Sequence, residues 1–437
     1  MNIAPYPTYQ PSGVEWLGNI PKDWSVKRLK WSVDGCFNGV WGDEPDGIDD
    51  VVCLRVADFN RDNYTISTEA LTLRAIEAKQ LESRKLKRGD LLIEKSGGGE
   101  KQLVGCVVYF DHEFDAVCSN FVARMPVAEG HLPRYWAYVH AGLYAGKLNY
   151  PAIKQTTGIQ NLDAALYLDT LAAYPPLAEQ QQIAAFLDWK TSQIDALIAK
   201  KQALLQKLKE KRLAVITQAV TKGLNPDAPM RDSGIAWLGK VPAHWGVKRL
   251  KFVAHVGNGS TPNREDSAYW DGGTYPWLNS SVVNQEQVTN ADQFVTPLAL
   301  SECHLPRISP PAVLVGITGQ GKTRGMATTL LFEATINQHL AYVKPDEAKA
   351  SVGFLRRVFD MAYAHLRIES ENGGSTKGAI TCEQIAELPI PVPPLDEQVV
   401  ISERIDMALA KLARMSDNAK SAITRLTEYR SALITAA

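Results

Sequence analysis

The chain has 437 residues, 45% apolar and 22% charged, with a formal net charge of −1, which suits ordinary globular protein with room for two or three domains. No run of about 18 apolar residues offers a membrane span, and the opening MNIAPYPTYQPSG lacks the basic head and apolar run of a secretory signal, so a cytoplasmic location is expected. The six cysteines (36, 53, 106, 118, 303 and 382) form no CxxC pair, which argues for reduced thiols and against a zinc site, and the near-zero charge weighs against a uniformly basic nucleic-acid binder.

The first informative stretch is SGVEWLGNIPKDWSVKRLKW at 12–31, which matches SGIAWLGKVPAHWGVKRLKF at 233–252 in 12 of 20 positions. Trp24, Val26, Leu29 and Trp31 are expected to bury, while Lys27, Arg28 and Lys30 project as a local positive patch. That patch reads either as a solvated structural edge or as a phosphate contact. Residues 32–174 follow as a mixed α/β unit with strands near 51–56, 90–93 and 104–110 and helices near 76–86 and 134–145. The Gly-rich loop Lys95-Ser96-Gly97-Gly98-Gly99-Glu100-Lys101 joins two of these strands. It reads as a plain hairpin connection or as a loop whose N–H groups and lysines approach phosphate. A second polar loop, Lys154 to Asn161, carries hydroxyl and amide groups suited to base edges or backbone.

From Pro175 to Lys222 the chain is rich in good helix formers and has no proline after its Pro-Pro opening. About 45 such residues give a rod of roughly 65 Å. Leu187, Ile194, Leu208 and Val215 form one heptad row and Ile198, Leu205 and Ala219 a second, interrupted by Lys201 and Arg212. A sustained two-row stripe reads as a coiled-coil seam. Gly223 then stops the helix ahead of a proline-bearing linker. Residues 223–392 repeat the order of parts with different loops, with strands expected at 276–278 and 312–317 and a polar loop at 372–378.

The stretch 393–437 aligns with 175–219 without a gap when 218 is added to each number. The seam transfers to Ile405, Leu412, Leu426 and Leu433 in one row and Leu409 and Ile423 in the other. Two helices sharing a register are expected to pack on each other; two amphipathic helices on separate cores is the plainer alternative. The whole chain is a duplication of domain-sized units: residues 1–174, a long helix at 175–222, residues 223–392, and a second long helix at 393–437.

Gly316-Ile317-Thr318-Gly319-Gln320-Gly321-Lys322-Thr323 satisfies the GxxxxGK[ST] phosphate-loop pattern. A phosphate cradle requires a helix beginning at the Lys, yet Arg324-Gly325 and a β-leaning run follow. A strand–loop–strand carrying Lys322 and Arg324 is expected instead. Glu347-Ala348-Lys349 has the letters of a nuclease ExK without an upstream partner Asp, and is expected to be a loop before a helix. No histidine arrangement, methyltransferase motif or GxGxxG gives catalysis a home.

The repeated SGxxWLGxxPxxWxVKRLK, the helix openings PPLAEQQQIAAFLD and PPLDEQVVISERID, and GNGSTPNREDSAYWDGGTYPWLN at 257–279 together resemble the specificity subunit of type I restriction-modification enzymes. The resemblance spans nearly the full chain. It implies two target-recognition domains separated by an antiparallel two-helix coiled coil, within a mixed α+β fold. It also implies a non-catalytic subunit that reads a split, asymmetric double-stranded DNA target and docks two methyltransferase subunits and nuclease-translocase subunits. S-adenosylmethionine, ATP and magnesium would sit on those partners and none on this chain. DNA contacts are expected at Lys95, Ser96, Lys101, Lys154, Thr156 and Thr157 in the first unit. In the second they are expected at Thr318, Gln320, Lys322, Arg324, Ser375, Thr376 and Lys377. The first helix runs on through Val220-Thr221-Lys222-Gly223 where the second reaches Ala437, a departure that leaves packing at that end open. Competing classes are a nucleotide-binding protein using the 316–323 loop and a coiled-coil scaffold with no DNA role.

Overall fold

The computed structural model describes residues 6–48, 50–98, 102–156, 158–319, 321–372 and 378–437. The chain resolves into two compact units, one of residues 1–202 with 420–437 and one of residues 203–419. Each long helix therefore contributes one part to each unit.

In the first unit Leu91–Glu94 is the centre of a four-stranded antiparallel sheet, flanked by Val107–Tyr109 and Val122–Met125, with Phe37–Asn38 at the far edge. Leu91, Leu92 and Ile93 are fully buried, which is why this strand reads as an unbroken apolar run rather than an alternation. Asp50–Leu54 lies between Ala116–Cys118, which is parallel to it, and Thr72–Ala75, which is antiparallel. The strand stops at Leu54 because Asp58 folds back and accepts the Arg55 amide at 2.7 Å, closing a turn. The helix Pro133–Ala145 opens on a proline at its first turn, where the missing N–H costs nothing. It buries Trp136 and Leu143 against the sheet.

The second unit is built on five strands in the order 254–258, 340–345, 312–316, 327–330, 287–288. A three-stranded sheet places Tyr275–Leu278 between Gln293–Val295 and Thr335–Ile336. The helix Val352–Asn372 packs Phe354, Leu355, Val358 and Phe359 into the same core as the strands.

The first long helix spans Leu177–Lys222 and the second Leu395–Ala436. Gly223 ends the first with φ +71°, the left-handed stop that a glycine takes without strain. Within the first unit Leu187 and Ile434 share one apolar cluster, and Arg430 pairs with Asp195 at 3.0 Å. Rising numbers on one helix meet falling numbers on the other, so the pairing there is antiparallel. Within the second unit Ile216, Ala219 and Val220 share a core with Ile401, Ile405 and Leu409. Every seam position expected from the heptads is buried or half-buried: Leu187, Ile194, Leu208, Ile405 and Leu409 buried, Ile198, Leu205, Val215, Leu412, Ile423, Leu426 and Leu433 half-buried.

One burial expectation fails. Leu29 is fully buried, but Trp31 is 63% exposed. The strand ends at Arg28 and a 3-10 turn, Leu29–Ser32, follows, so three residues rather than two separate the inward positions Leu29 and Ser32.

Candidate nucleic-acid interface

The duplication is reproduced bond by bond. The opening-motif strands Ser25–Arg28 and Gly246–Arg249 each pair antiparallel with the strand preceding a long helix, 171–174 and 389–392. Trp24 and Trp245 each donate their indole N–H to a glutamate in the first turn of that helix, Glu179 and Glu397. The next residues, Gln180 and Gln398, are buried and spend their amides on the backbone. Gln180 accepts from Leu132 N–H at 3.0 Å and donates to the Pro175 carbonyl at 3.0 Å. Gln398 accepts from Ser351 N–H at 2.9 Å and donates to the Pro393 and Lys349 carbonyls. Arg134 and Arg357 then reach Asp188 and Asp406, both at 2.6 Å. This set explains the letters PPLxEQ and the aspartate nine residues beyond the glutamate.

The local positive patches are partly offset in the same duplicated way. Asp169 pairs with Lys30 at 2.9 Å and Arg28 at 3.0 Å, and its carboxyl is held below the usual range first by Lys30 and then by Arg28. Glu387 pairs with Lys251 and with Arg249 at 2.6 Å, with the same downward effect, led by Lys251. Four of the motif cations are therefore tied to carboxylates of their own fold.

The loops expected to meet DNA fall into two groups. In the first unit Lys95 donates to Asn38 Oδ1 at 2.5 Å and Ser96 to Asn161 Oδ1 at 2.5 Å. Ser96–Gly97 forms a short strand beside Ile159–Leu162, which pairs in turn with Ile153–Thr156. Lys154 lies on this small sheet and pairs with Asp163 at 2.7 Å while remaining largely exposed. Lys154, and then the Leu166 amide, hold that carboxyl low, and the same Asp163 caps the helix Ala164–Leu168. The structure thus brings Lys95, Ser96, Lys154 and the backbone of Thr156 into one loop cluster. Lys101 and Thr157 lie outside the described residues.

In the second unit residues 316–327 join the antiparallel strands Ala312–Gly316 and Ala327–Leu330, and no helix begins at Lys322. This is the strand–loop–strand expected, and the donor geometry of a phosphate loop is absent among the described residues. The loop is pinned by the helix 352–372: Arg367 donates to the Gly321 carbonyl at 2.7 Å and Tyr363 to that of Lys322 at 2.9 Å. Lys322 itself is exposed, and Thr318 Oγ1 sits 2.8 Å from His339 Nδ1. Arg324 is placed differently. It is buried, with Nη2 on Glu371 at 2.6 Å and Nη1 on the Gly378 carbonyl at 2.8 Å, so its charge is spent inside the unit. Gln320, Ser375, Thr376 and Lys377 lie outside the described residues. Glu347-Ala348-Lys349 is a turn after the strand Leu340–Pro345, its ends paired locally with Lys344 and Asp346.

Sequence reasoning used the loop at 258–264 only as part of the family-like stretch 257–279 and placed no DNA contact in it. Gly259 lies so close to the Ile336 carbonyl that a Cβ would overlap it. The loop is fastened there by Ser260 N–H on the Ile336 carbonyl at 3.0 Å, and by Thr261 on Gln338. Gln338 adjoins His339, which meets Thr318, so the 258–264 and 316–323 loops share one face. A lone Gly–Ser–Thr run carries no signal for this; the pair Trp270 and Trp277 downstream does, since both indoles are spent on this loop.

Residues 242–424 match the family profile described as type I restriction modification DNA specificity domain. The MjaX specificity subunit of a Methanocaldococcus jannaschii type I restriction enzyme is 23% identical over 394 residues, covering 89% of this chain and 87% of that one. Residues 242–424 thus carry that specificity domain, and the chain is similar to type I restriction enzyme specificity subunits over most of its length. The fold of the chain resembles two solved chains, each at 16% identity. One, from work on complex assembly and conformational transition of the type I R-M system, superposes with a TM-score of 0.70 over 95% of this chain and 97% of that one. The other, the HsdS subunit from Thermoanaerobacter tengcongensis, has a TM-score of 0.53 over 95% and 96%. No helix among the described residues of the chain is long and apolar enough to cross a membrane.

Proposed function

We propose that this chain is a type I restriction-modification specificity subunit, that it reads a split, asymmetric DNA target, one part with each of its two units, and that it performs no bond-making itself. The observation that carries the reading is the combination of a duplicated scaffold with unlike loops. Trp24–Glu179 and Trp245–Glu397, and Gln180 and Gln398, fix equivalent frames. The loops set on those frames, 95–98 with 153–162 and 258–264 with 316–323, share no sequence. Equal frames with different loops suit two readers of different short base sequences, since each base pair shows a distinct donor and acceptor pattern in the major groove.

On this reading two methyltransferase subunits and the nuclease-translocase subunits dock on the chain, in the cytoplasm. They carry S-adenosylmethionine, ATP and magnesium, and the target adenine is flipped out of the stack into the methyltransferase. Lys95, Ser96, Lys154, Thr318 and Lys322 contribute contacts to DNA, with Lys101, Thr156, Thr157, Gln320, Ser375, Thr376 and Lys377 completing the two faces. Arg324 supports its loop from inside. The test is to assemble the chain with its methyltransferase partner, expose unmethylated DNA and map the modified adenines. A single bipartite motif with unlike halves is expected. Modification without sequence preference, or the same motif with an unrelated specificity subunit in place, would overturn the reading.

A further inference from the structure

Among the described residues of the second unit, Arg264 is the one guanidinium that two indoles hold in the open. Its carbon lies 4.1 Å from the centre of the Trp270 ring and 4.5 Å from that of Trp277. The two rings meet edge to face at 5.3 Å. Trp277 is buried and Arg264 exposed, so the cation caps a fixed aromatic corner. The same indoles fasten the loop that ends at Arg264: Trp277 Nε1 donates to the Ser260 carbonyl at 3.1 Å and Trp270 Nε1 to that of Asn263 at 2.9 Å. Asn263 Oδ1 accepts the Glu265 amide at 3.2 Å. Stem, plane and flanking backbone are all held. The guanidinium makes a single hydrogen bond among the described residues, Nη1 to Gln293 Oε1 at 3.0 Å, which leaves the Nε–Nη2 edge of the fork unspent.

The first unit supplies a control. Arg74 stacks on Trp41 at 4.5 Å, the same cation-on-indole device. There the guanidinium is buried and consumed by Glu44 at 2.7 Å and by the Trp41 and Gly42 carbonyls. That arrangement is complete in itself and holds the loop 41–44 down. Arg264 has the stacking without the consumption. An exposed arginine ordinarily surrenders rotamer freedom when it is fixed by a ligand. Here most of that ordering is already done.

A flat, pre-set pair of donors matches two acceptors side by side in one plane. Guanine offers that pair, O6 and N7, on its major-groove edge, and it is the commonest partner of arginine there. Resting on the reading of this chain as a DNA-specificity subunit, we propose that Arg264 determines specificity by reading one guanine in the part of the target assigned to the second unit. Among the described residues the first unit shows no equivalent reader at this place, which contributes to the asymmetry of the target.

The test uses the chain assembled with its methyltransferase partner and compares wild type, Arg264→Lys and Arg264→Ala. Affinity is measured for the mapped target and for variants substituted at each position. Wild type is expected to show at least one guanine whose replacement weakens binding 10- to 100-fold, the scale of one bidentate arginine–guanine contact. Both variants lose that discrimination at this one position and keep it everywhere else. Arg264→Lys keeps the charge and stem, so it serves as the folded comparison if Arg264→Ala melts early. A uniform loss on all sequences in Arg264→Ala, with the salt slope reduced by about 1 and Arg264→Lys intact, identifies a phosphate contact and overturns the proposal. Unchanged discrimination at every position in both variants, with only a lower melting temperature, identifies a structural clasp and also overturns it. If wild type shows no sequence preference at all, the reading of the whole subunit fails instead, which separates the two failures.

Discussion

Gln398 is 1% exposed and divides its amide among three backbone groups, one N–H and two carbonyls. A leucine of similar size leaves those groups buried without partners, and each such group costs about 1–3 kcal/mol. Gln398→Leu is expected to lower the stability of the second unit by about 3 kcal/mol in denaturant melts, and Gln180→Leu to do the same to the first. A loss below about 1 kcal/mol in both would show that the amides are incidental. His140 gives the pH counterpart. Burial pushes its imidazole down to about 4; Nδ1 lies 2.7 Å from the Tyr167 hydroxyl and Nε2 meets no partner among the described residues. The unfolded chain binds the proton near pH 6.5 and the folded one only near 4. Its contribution is therefore full above pH 6.5 and falls away towards 4, roughly 3 kcal/mol in all. The stability gap between wild type and His140→Gln should narrow over that window; a constant gap would sink the assignment.

The two long helices show what periodicity can and cannot carry. The heptad rows named the seam because it repeats wherever helix meets helix. They missed Ile216, Val220, Ile401 and Ile434, all buried. At those ends each helix also packs into a globular core, so the buried face widens beyond two rows. The strands 91–94 and 312–316 were legible as apolar runs, and Trp31 was misjudged because a 3-10 turn is invisible to a two-residue alternation. Loops were legible only as polar segments: nothing in KTRG distinguishes Lys322, exposed, from Arg324, buried on Glu371. That depends on the helix 352–372, whose Arg367 and Tyr363 pin the turn from far along the chain. The seam invites a paired measurement. Ile405→Ala, at 1% exposure, is expected to cost about 2–5 kcal/mol, and Met407→Ala, at 57%, less than about 0.5 kcal/mol. Equal losses in thermal or urea melts would contradict the assignment of faces.

At the scale of the whole chain, the proposed division of labour makes the paired helices the spacer of the bipartite target. Inserting one heptad into both, about 10 Å of helix, is expected to lengthen the unread gap by about three base pairs. Sequencing of modified sites would show it, and an unchanged gap would remove the helices from that role.

The carboxylates Asp169 and Glu387 have a kinetic consequence. Each offsets one charge among the three cations of its repeated motif, and the chain as a whole carries a formal net charge of only −1. On the proposed reading, such a body is expected to reach DNA by largely undirected diffusion, at about 10⁵–10⁶ per molar per second rather than the accelerated rates of a charged searcher. Speed of search is then a property the chain borrows from whatever cationic company it keeps, while its own atoms are left to decide where the search stops.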